Sequence, residues 1–473
     1  MTASTPSAEG ALLAAEEYLQ ALELFGMRFG LERMRRLLTV LGAPQERFAS
    51  VHVVGSNGKS STTRMVAALL SAHGLRTGAY LSPHLVSFTE RVRVEGHDVT
   101  PARFAAAVAA ARHAAGDLDR TLDAGDRVTQ FEALTAAAFV ALAEEHVDVA
   151  VVEAGLGGRW DATNVIPSAV QVLTNVGLEH TRWLGSTITE IAVEKLDVVQ
   201  GGGTLVVGPG LHPDARAVAE RVVAERGARL VVASAAPPAD LRLRAEGTFQ
   251  RTNFALACAA AEAYLEAACS QDPDIEGSGN TPSPQASESP LLDQAAVGAV
   301  AASTLVPGRF EAVGERPLTI LDGAHNPAGF VALAASLREM LGGRRLAVVL
   351  SILDDKDAAA MLAELLPLCA EAIATAGANP RTLPPEALQA LAAELPREAT
   401  GAPGGASGGQ SHASAGQGGA SGARAVRVER DPQRALALAR ELAGPAGVAL
   451  ATGSLYLLAD LKRPAAAGPG STL

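Results

Sequence analysis

Seven consecutive residues in the first part of the chain have the composition of a phosphate-binding loop. They are Gly55-Ser56-Asn57-Gly58-Lys59-Ser60-Ser61, between an apolar run and a stretch with helical periodicity. Small residues let backbone N–H groups approach phosphate oxygens, a helix N-terminus favours negative charge, and a lysine can reach the β and γ phosphates. The match to G-x-x-x-x-G-K-[ST] is incomplete, because Val53 occupies the first glycine position. The segment predicts a nucleotide phosphate site, with an ordinary strand–turn–helix connection as the alternative.

Three more polar residues lie at or beyond the carboxyl ends of predicted strands. Glu153 ends an apolar run, His180 follows the next such run, and Lys195 lies in a predicted helix. Ligands of an open parallel sheet bind beyond the carboxyl ends of its strands, so a carboxylate there can hold Mg²⁺ beside a nucleotide. Each residue also has an ordinary interpretation when taken singly. Glu153 could be a solvated carboxylate, His180 a satisfied histidine and Lys195 a surface lysine.

The elements that must position these residues alternate between short β-rich runs and helical stretches, which is typical of an α/β protein with a mainly parallel sheet. The predicted strands are residues 50–54, 77–81, 147–153 and 170–174. The predicted helices are residues 11–25, 31–41, 59–73, 101–115 and 130–146. Because the strands are apolar on both faces, we expect both faces of the sheet to be buried.

A second α/β pattern follows and indicates a separate domain. Its predicted strands are residues 318–321, 346–350, 370–375, 425–428 and 448–452. We expect an N-terminal P-loop ATPase-like domain at 1–303 and a smaller, Rossmann-like C-terminal domain at 304–473, with Pro307-Gly308 interrupting the pattern between them. Residues 270–290 and 401–422 predict flexible surface insertions, because their composition cannot bury enough apolar area to offset the entropy lost on ordering.

The composition limits the classes of function. The net charge of −12 over 473 residues argues against a general nucleic-acid or acidic-membrane surface. No apolar run reaches the roughly 18 to 20 uncharged residues of a membrane span, and residues 1–10 lack the features of a signal peptide. Cys258, Cys269 and Cys369 form no CxxC pair, which fits a reducing compartment. We therefore expect a cytoplasmic protein with no nucleic-acid or membrane partner.

Many short segments, spread over nearly the whole chain, support a common interpretation. They are Gly30-Leu31-Glu32-Arg33, 54–61, Leu81-Ser82-Pro83-His84-Leu85, Phe131-Glu132, 152–164, 177–185, Glu194-Lys195, 249–253, Pro307-Gly308-Arg309, 321–327, 353–357 and 452–456. In content and order they resemble the folylpolyglutamate synthase/dihydrofolate synthase family of the Mur ligase superfamily. A chance match of so many ordered segments is far less plausible than a chance match of one.

The resemblance implies an ATP-dependent ligase that adds L-glutamate to a folate-type carboxylate through an acyl phosphate. Tetrahydrofolate is the expected acceptor, with dihydropteroate as a second candidate, and ATP and two Mg²⁺ ions are the expected cofactors. The family suggests a monomer. The sequence leaves open the preference between the two acceptors, the length of the polyglutamate chain and the oligomeric state.

The same resemblance implies roles for particular residues. Residues 55–61 match the loop that holds the ATP phosphates, with Lys59 at the γ-phosphoryl group, and Lys195 matches a lysine that carries a carbamate and helps to hold the second Mg²⁺. The residues that match Mg²⁺ ligands are Ser82, Glu153 and His180. The residues that match nucleotide contacts are Asn253, Arg309, Asp322 and His325. The residues at the family's pterin position are Phe131, Glu132, Trp160, Asp161 and Ala162.

Two positions depart from the usual sequence of the family. The chain reads Gly58-Lys59-Ser60-Ser61 where the family usually has Gly-Lys-Gly-Ser, so Ser60 replaces a glycine. Its side chain either alters the approach of the backbone to the phosphates or acts as a Walker-type hydroxyl. Lys195 is followed by Leu196-Asp197-Val198, where the family commonly has Ala-Gly-Ile. Residues two apart on a helix point in different directions, so we expect the Asp197 carboxylate to face away from the site of Lys195.

Three alternative functions compete with this interpretation. Another Mur-type amino acid ligase, acting on a peptidoglycan precursor, would share the ATP chemistry but differ in its acceptor pocket. A P-loop ATPase without ligase activity would turn over ATP with no small acceptor. An inactive binding protein is disfavoured by the joint presence of Lys59, Glu153 and His180 with Lys195. Phosphate release that depends on both a folate and glutamate distinguishes the predicted ligase from all three.

Overall fold

The chain divides into two compact units. The computed structural model describes residues 7–22, 30–123, 125–270, 292–395 and 426–463. The first unit is Met1–Val306 and the second is Pro307–Thr472. The predicted boundary between 303 and 304 lies close to this division. The two predicted insertions, apart from Ser270 at a helix end, lie outside the described residues.

A mainly parallel sheet forms the centre of the first unit. Its strands are β1 Ala49–Val54, β2 Thr77–Tyr80, β3 Val92–Val94, β4 His97–Asp98, β5 Val149–Glu153, β6 Ser168–Leu173, β7 Thr204–Val207 and β8 Arg229–Val232. They are arranged in the order β4-β3-β2-β5-β1-β6-β7-β8. Only the pairs that involve β3 are antiparallel among those described. The predicted α/β class with a mainly parallel sheet is therefore confirmed.

Helices cover both faces of this sheet. They are α1 Ala8–Ala21, α2 Glu32–Val40, α3 Lys59–Ala72, α4 Pro101–Asp119, α5 Gln130–Glu144, α6 Thr181–Leu184, α7 Ile188–Leu196, α8 Pro213–Arg226, α9 Thr248–Ser270 and α10 Gln294–Ser303. Along β5, Ala150 and Val152 join one apolar cluster while Val149 and Val151 join another. Successive side chains of a strand point to opposite faces, so the sheet is buried on both sides. None of the described helices is both long and apolar enough to cross a membrane.

The strand order brings the predicted site residues to one edge of the sheet. Strand β1 lies between β5 and β6, with Val53 in register with Glu153 and Val54 in register with Leu173. Strand β2 lies on the other side of β5, with Tyr80 in register with Val152. The segments that follow β1, β2, β5 and β6 consequently leave the sheet side by side, at the edge where ligands bind in open parallel sheets.

The second unit is a smaller α/β unit with its own sheet. Its strands are β9 Glu311–Glu315, β10 Leu318–Leu321, β11 Leu346–Leu350, β12 Glu371–Ala374, β13 Arg427–Val428 and β14 Val448–Thr452. Its helices are α11 Pro327–Leu341, α12 Ala358–Leu365, α13 Pro385–Glu394, α14 Pro432–Ala443 and α15 Leu455–Lys462. The strand order is β13-β12-β11-β14-β10-β9, and β9 pairs antiparallel with β10.

The structure differs from the sequence-based prediction mainly at sheet edges and helix ends. Helix α1 begins at Ala8, because the Ser7 side chain accepts a hydrogen bond from the Gly10 N–H, and it ends at Ala21 rather than at residue 25. The sequence did not predict the outer strands β3, β4, β8 and β9, nor the inner strand β7. The outer strands are short and carry charged or exposed residues, so they lack the apolar runs that mark buried strands. Strand β7 is buried throughout but only four residues long.

Candidate functional site

The loop between β1 and α3 approaches its neighbours so closely that side chains are excluded at two positions. Gly55 has φ +146°, and a Cβ there would lie 1.9 Å from Thr174 Oγ1. Gly58 has φ +84°, and a Cβ there would lie 2.5 Å from Asn253 Oδ1. Glycine is needed at both positions, because L-residues with a Cβ rarely adopt these φ values. The loop is thus packed against Asn253, which the sequence assigned to the nucleotide.

Hydrogen bonds from the segment after β6 hold this loop in shape. The Asn57 N–H donates to Asn175 Oδ1 at 2.9 Å, and Thr174 Oγ1 donates to the Asn57 carbonyl at 2.6 Å. The Gly177 N–H donates to Ser56 Oγ at 3.0 Å. Neither Thr174 nor Asn175 was among the site residues predicted from the sequence. Their only signal there was a position at the carboxyl end of a predicted strand.

Two lysines converge on the loop. Lys59 Nζ donates to the Gly55 carbonyl at 2.9 Å and to the Ser56 carbonyl at 3.3 Å. Lys195 Nζ donates to the same Gly55 carbonyl at 3.0 Å, from helix α7. The Lys195 side chain is 1% exposed. The interpretation of Lys195 as a surface lysine is therefore wrong. Its side chain is buried and contacts the backbone of the phosphate loop.

Lys195 forms a buried ion pair with Glu179, a residue to which the sequence analysis gave no role. Its Nζ lies 3.0 Å from Glu179 Oε1. Burial would raise the pKa of Glu179, but the charges of Lys195 and Lys59 and the hydrogen bond from Lys195 outweigh it and lower that pKa to about 2. Burial lowers the pKa of Lys195, and Glu179 opposes this shift only in part. The lysine therefore loses its proton more easily than an exposed lysine would.

Glu153 is buried at the end of β5, where both carboxylate oxygens accept hydrogen bonds. Ser60 Oγ donates to Oε1 at 2.9 Å, and the Ser82 N–H donates to Oε2 at 3.1 Å. The side chain is 1% exposed, so the interpretation as a solvated strand-end carboxylate is wrong. The contacts bring three predicted elements of the site together: the phosphate loop, the end of β5 and the segment after β2.

The residues around Glu153 fit a Mg²⁺ ion that is shared with a nucleotide. Within the described ranges no three His, Cys, Asp or Glu side chains cluster as a dedicated metal site. Mg²⁺ in nucleotide sites needs less, because one or two carboxylates suffice when phosphate and water oxygens complete its octahedron. Glu153 is a carboxylate of the kind such a site needs, and its contact with Ser60 places it beside the first turn of α3, which follows the phosphate loop.

The segment that carries Ser82 is held by two charged residues that the sequence analysis did not single out. Arg91 donates from Nη1 to Ser82 Oγ at 3.3 Å and from Nε to His84 Nδ1 at 2.9 Å. Glu90 accepts hydrogen bonds from the backbone N–H groups of residues 85, 86 and 87. These contacts make the segment a rigid support for Ser82. The Ser87-x-x-Glu90 spacing is that of a capping box, and it is the local sequence signal that could have pointed to Glu90.

His180 and Asp197 flank the buried ion pair. His180 is exposed at the start of α6, with φ +47°, directly after Glu179. Asp197 follows α7, and its Oδ1 accepts a hydrogen bond from Arg226 Nη2 at 2.8 Å, whereas Lys195 pairs with Glu179. These separate partners agree with the expectation that the Asp197 carboxylate does not face the site of Lys195.

The five residues at the predicted pterin position have dissimilar surroundings. Glu132 pairs with Arg33 at 2.8 Å and caps α5, while Asp161 accepts hydrogen bonds from the N–H groups of residues 156 and 163. Ala162 belongs to the core, and Phe131 packs so closely on Gly155 that a Cβ there would lie 2.5 Å from its ring. Trp160 is 39% exposed and lines a pocket of about 720 Å³. The carboxylates at two of the five positions are therefore engaged in contacts within the fold.

The predicted nucleotide residues of the second unit converge on one turn after β10. Arg309 Nη1 donates to the Gly323 carbonyl at 2.9 Å, and His325 Nδ1 donates to the same carbonyl at 2.8 Å. Asp322 is buried and accepts from the N–H groups of Phe310 and Ala324. Burial raises the pKa of Asp322, although Arg309 opposes this shift. The Gly323 carbonyl of this turn therefore holds the Arg309 and His325 side chains close to each other.

Comparison with known proteins decides the family. Residues 308–455 match the model of the Mur ligase glutamate ligase domain. The chain is 35% identical over 402 residues to a dihydrofolate synthase/folylpolyglutamate synthase of Mycobacterium tuberculosis, a match that covers 77% of each protein. The chain belongs to the folylpolyglutamate synthase/dihydrofolate synthase family. A folylpolyglutamate synthase of Lacticaseibacillus casei is 34% identical, over 76% of this chain and 84% of that protein.

A solved structure from this family agrees with the fold. Folylpolyglutamate synthase of Mycobacterium tuberculosis, complexed with ADP and AMPPCP, superposes with a TM-score of 0.80 at 30% identity. The match covers 98% of this chain and 100% of that one. The resemblance that the ordered segments indicated is confirmed, as is the two-part α/β architecture of the folylpolyglutamate synthase family.

Proposed function

We propose that this protein is an ATP-dependent ligase that adds L-glutamate to a folate-type carboxylate. One observation carries the proposal: Lys59 and Lys195 meet at the carbonyl of Gly55 in the phosphate loop, which also contacts the segment after β6. Membership of the folylpolyglutamate synthase/dihydrofolate synthase family supports the substrate class.

The arrangement suits the activation of a carboxylate by ATP. A carboxylate is a poor electrophile, so its oxygen first attacks the γ-phosphorus, the bond to ADP breaks, and an acyl phosphate forms. The amino group of glutamate then attacks the acyl carbon and displaces inorganic phosphate. Negative charge accumulates in both steps, and preorganised cations stabilise it. We assign Lys59 to the transferring phosphoryl group and the backbone of residues 55–58 to the ATP phosphates.

We assign Ser82, Glu153 and His180 to the binding of Mg²⁺. Bound there, the ion would neutralise phosphate oxygens and polarise the γ-phosphoryl group. Glu153 is the strongest of the three assignments, because it is buried and held beside α3. The number of ions remains a prediction.

We further propose that Lys195 carries a carbamate in the active enzyme. Its neutral amine would attack CO₂, a C–N bond would form, and one proton would leave to solvent. The lowered pKa of Lys195 favours the neutral amine that this step needs. Carbamoylation replaces the ion pair with Glu179 by a carboxylate-like group at the same position.

The remaining assignments concern nucleotide and pterin contacts. Asn253, which packs against Gly58, is proposed to contact the nucleotide in the first unit. Arg309, Asp322 and His325 are proposed as nucleotide contacts, with Asp322 acting by holding the turn. Phe131 and Trp160 are proposed for the pterin, whereas Glu132, Asp161 and Ala162 would act by shaping its surroundings. The monomeric state and the cytoplasmic location stay predictions.

A phosphate-release assay tests the ligase function. With ATP, Mg²⁺ and glutamate present, we expect release to require a folate acceptor, and a comparison of dihydropteroate with tetrahydrofolate identifies the preferred one. Lys59→Met should reduce the rate by about a hundredfold or more, because one cation that stabilises the transition state is lost. Release that is independent of both acceptors and of glutamate would indicate a simple ATPase. Near-normal turnover of the Lys59 variant would remove the phosphate-loop assignment.

A further inference from the structure

Ser60 makes a side-chain contact that a glycine at this position could not make. It is the second residue of α3, and its hydroxyl donates to Glu153 Oε1 at 2.9 Å, across 93 positions of sequence. Serines inside helices commonly donate to the carbonyl four residues earlier. Ser60 instead connects the first turn of α3 to the carboxyl end of β5.

The contact completes a two-sided support for Glu153. The Ser82 N–H holds Oε2 at 3.1 Å, and Ser60 holds Oε1 from the side of the phosphate loop. A carboxylate fixed in this way loses less rotational freedom when it binds an ion.

We propose that Ser60 is a positioning residue that orients Glu153 for the Mg²⁺ ion of Mg·ATP. The inference rests on the proposed function, in which Glu153 binds that ion. Ser60 acts through the carboxylate and is not itself a ligand of the ion. The neighbouring side chain of Lys59 contacts different groups, because its Nζ donates to the carbonyls of Gly55 and Ser56. Lys59 and Ser60 therefore act on different parts of the site.

The coupling between Mg²⁺ and nucleotide binding tests this role without measuring activity. The affinity of the full chain for AMPPCP is measured by calorimetry with and without Mg²⁺. The dissociation constant without Mg²⁺, divided by the constant with Mg²⁺, reports how well the ion is held. Ser60→Ala should lower this ratio about tenfold, the lower end of the loss that is typical when a partner of a metal ligand is removed. Affinity without Mg²⁺ should not change.

Two further variants serve as controls. Ser60→Thr retains a hydroxyl and should keep the ratio close to that of the parent protein. Ser71→Ala removes a hydroxyl from the far end of α3 and should have no effect on either affinity. A fall in both affinities for Ser60→Ala, with and without Mg²⁺, would mean that the residue only supports the loop, and the proposal would be wrong.

A double-mutant cycle with Glu153→Ala separates the possible failures. If Ser60 acts through Glu153, Ser60→Ala should cause no further loss in the Glu153→Ala background. Losses that add in full would show that Ser60 acts independently of Glu153 and would overturn the positioning role. If Glu153→Ala itself leaves the ratio unchanged, the proposed metal site fails. If only Ser60→Ala leaves it unchanged, the metal site stands and this inference fails.

Discussion

The carbamate proposed for Lys195 would exclude the ion pair that this lysine forms in the structure. In the unmodified state its ammonium is compensated by Glu179 and by the carbonyl of Gly55. A bare ammonium near bound Mg²⁺ would be repelled, whereas a carbamate offers an anionic oxygen. Formation of the proposed carbamate would remove the cationic partner of Glu179.

Removal of Lys195 should affect stability and activity by different routes. Lys195→Ala leaves Glu179 buried without its cation, which should lower the free energy of unfolding by about 3 kcal/mol. It also removes the proposed carbamate, so most of the ligase activity should be lost. Thermal unfolding and glutamate-dependent phosphate release measure the two effects.

The double variant Lys195→Ala/Glu179→Gln separates these effects. It should regain much of the lost stability, because the uncompensated charge is gone, but it should stay inactive. A short carboxylic acid such as acetate, added at high concentration, should restore part of the activity by occupying the vacated anionic position. Full activity of either variant without acetate would exclude a catalytic role for Lys195.

At the scale of elements, the turn after β5 and the end of α7 are in very close contact. A Cβ at Gly158 would lie 2.5 Å from the Lys195 carbonyl oxygen and 2.8 Å from that of Glu194. The Arg159 N–H donates to the Glu194 carbonyl at 2.9 Å. The backbone of the Gly-rich turn thus sets the position of the helix that carries Lys195.

Gly158→Ala should displace the end of α7 from this turn. Because the added methyl group meets backbone atoms, which cannot rotate away, we expect a loss of about 1 to 3 kcal/mol in unfolding free energy. Activity should fall as well, since Lys195 moves with the helix. Melting temperature and phosphate release measure these changes. Gly210→Ala is the matched control, because a Cβ there meets no atom within 4 Å. An active, fully stable Gly158 variant would contradict the coupling.

At the scale of the whole first unit, a histidine buried in the central strand makes stability depend on pH. His52 lies in β1, is 1% exposed and contacts Thr163 Oγ1 through Nε2 at 2.8 Å. Burial lowers its pKa to about 3. The unfolded chain takes up a proton on this residue below about pH 6.5 while the folded protein does not. Stability is therefore lost as the pH falls from about 6.5 towards 3.

His52→Gln should weaken this dependence, because glutamine does not titrate and can still bond to Thr163. Between pH 6.5 and 5 the parent protein should lose about 1.5 kcal/mol more unfolding free energy than the variant. Urea unfolding followed by tryptophan fluorescence measures this, since Trp160 and Trp183, the two tryptophans of the chain, are both in the first unit. His113→Gln, at an exposed position, should leave the dependence unchanged. Equal slopes for the parent and His52→Gln would contradict the assignment.

The sequence by itself determined the features that depend on local composition and order. Apolar runs predicted the inner strands β1, β2, β5 and β6, because strands buried on both faces must be continuously apolar. The glycine and lysine spacing after β1 predicted the phosphate loop. The order of short segments indicated the family. Strands β3, β4, β8 and β9 were not predicted because their charged or exposed residues form no apolar run, and the buried strand β7 was missed as well.

Only the tertiary structure decided which side chains meet. Lys195 reaches Gly55 across 140 positions, and Ser60 reaches Glu153 across 93, because β1 lies between β5 and β6 in the sheet. No local pattern encodes strand order or register, so neither contact was predictable from spacing. The sequence also did not show the partners of two residues at the predicted pterin position. The Glu132 carboxylate pairs with Arg33, and the Asp161 carboxylate accepts hydrogen bonds from backbone N–H groups.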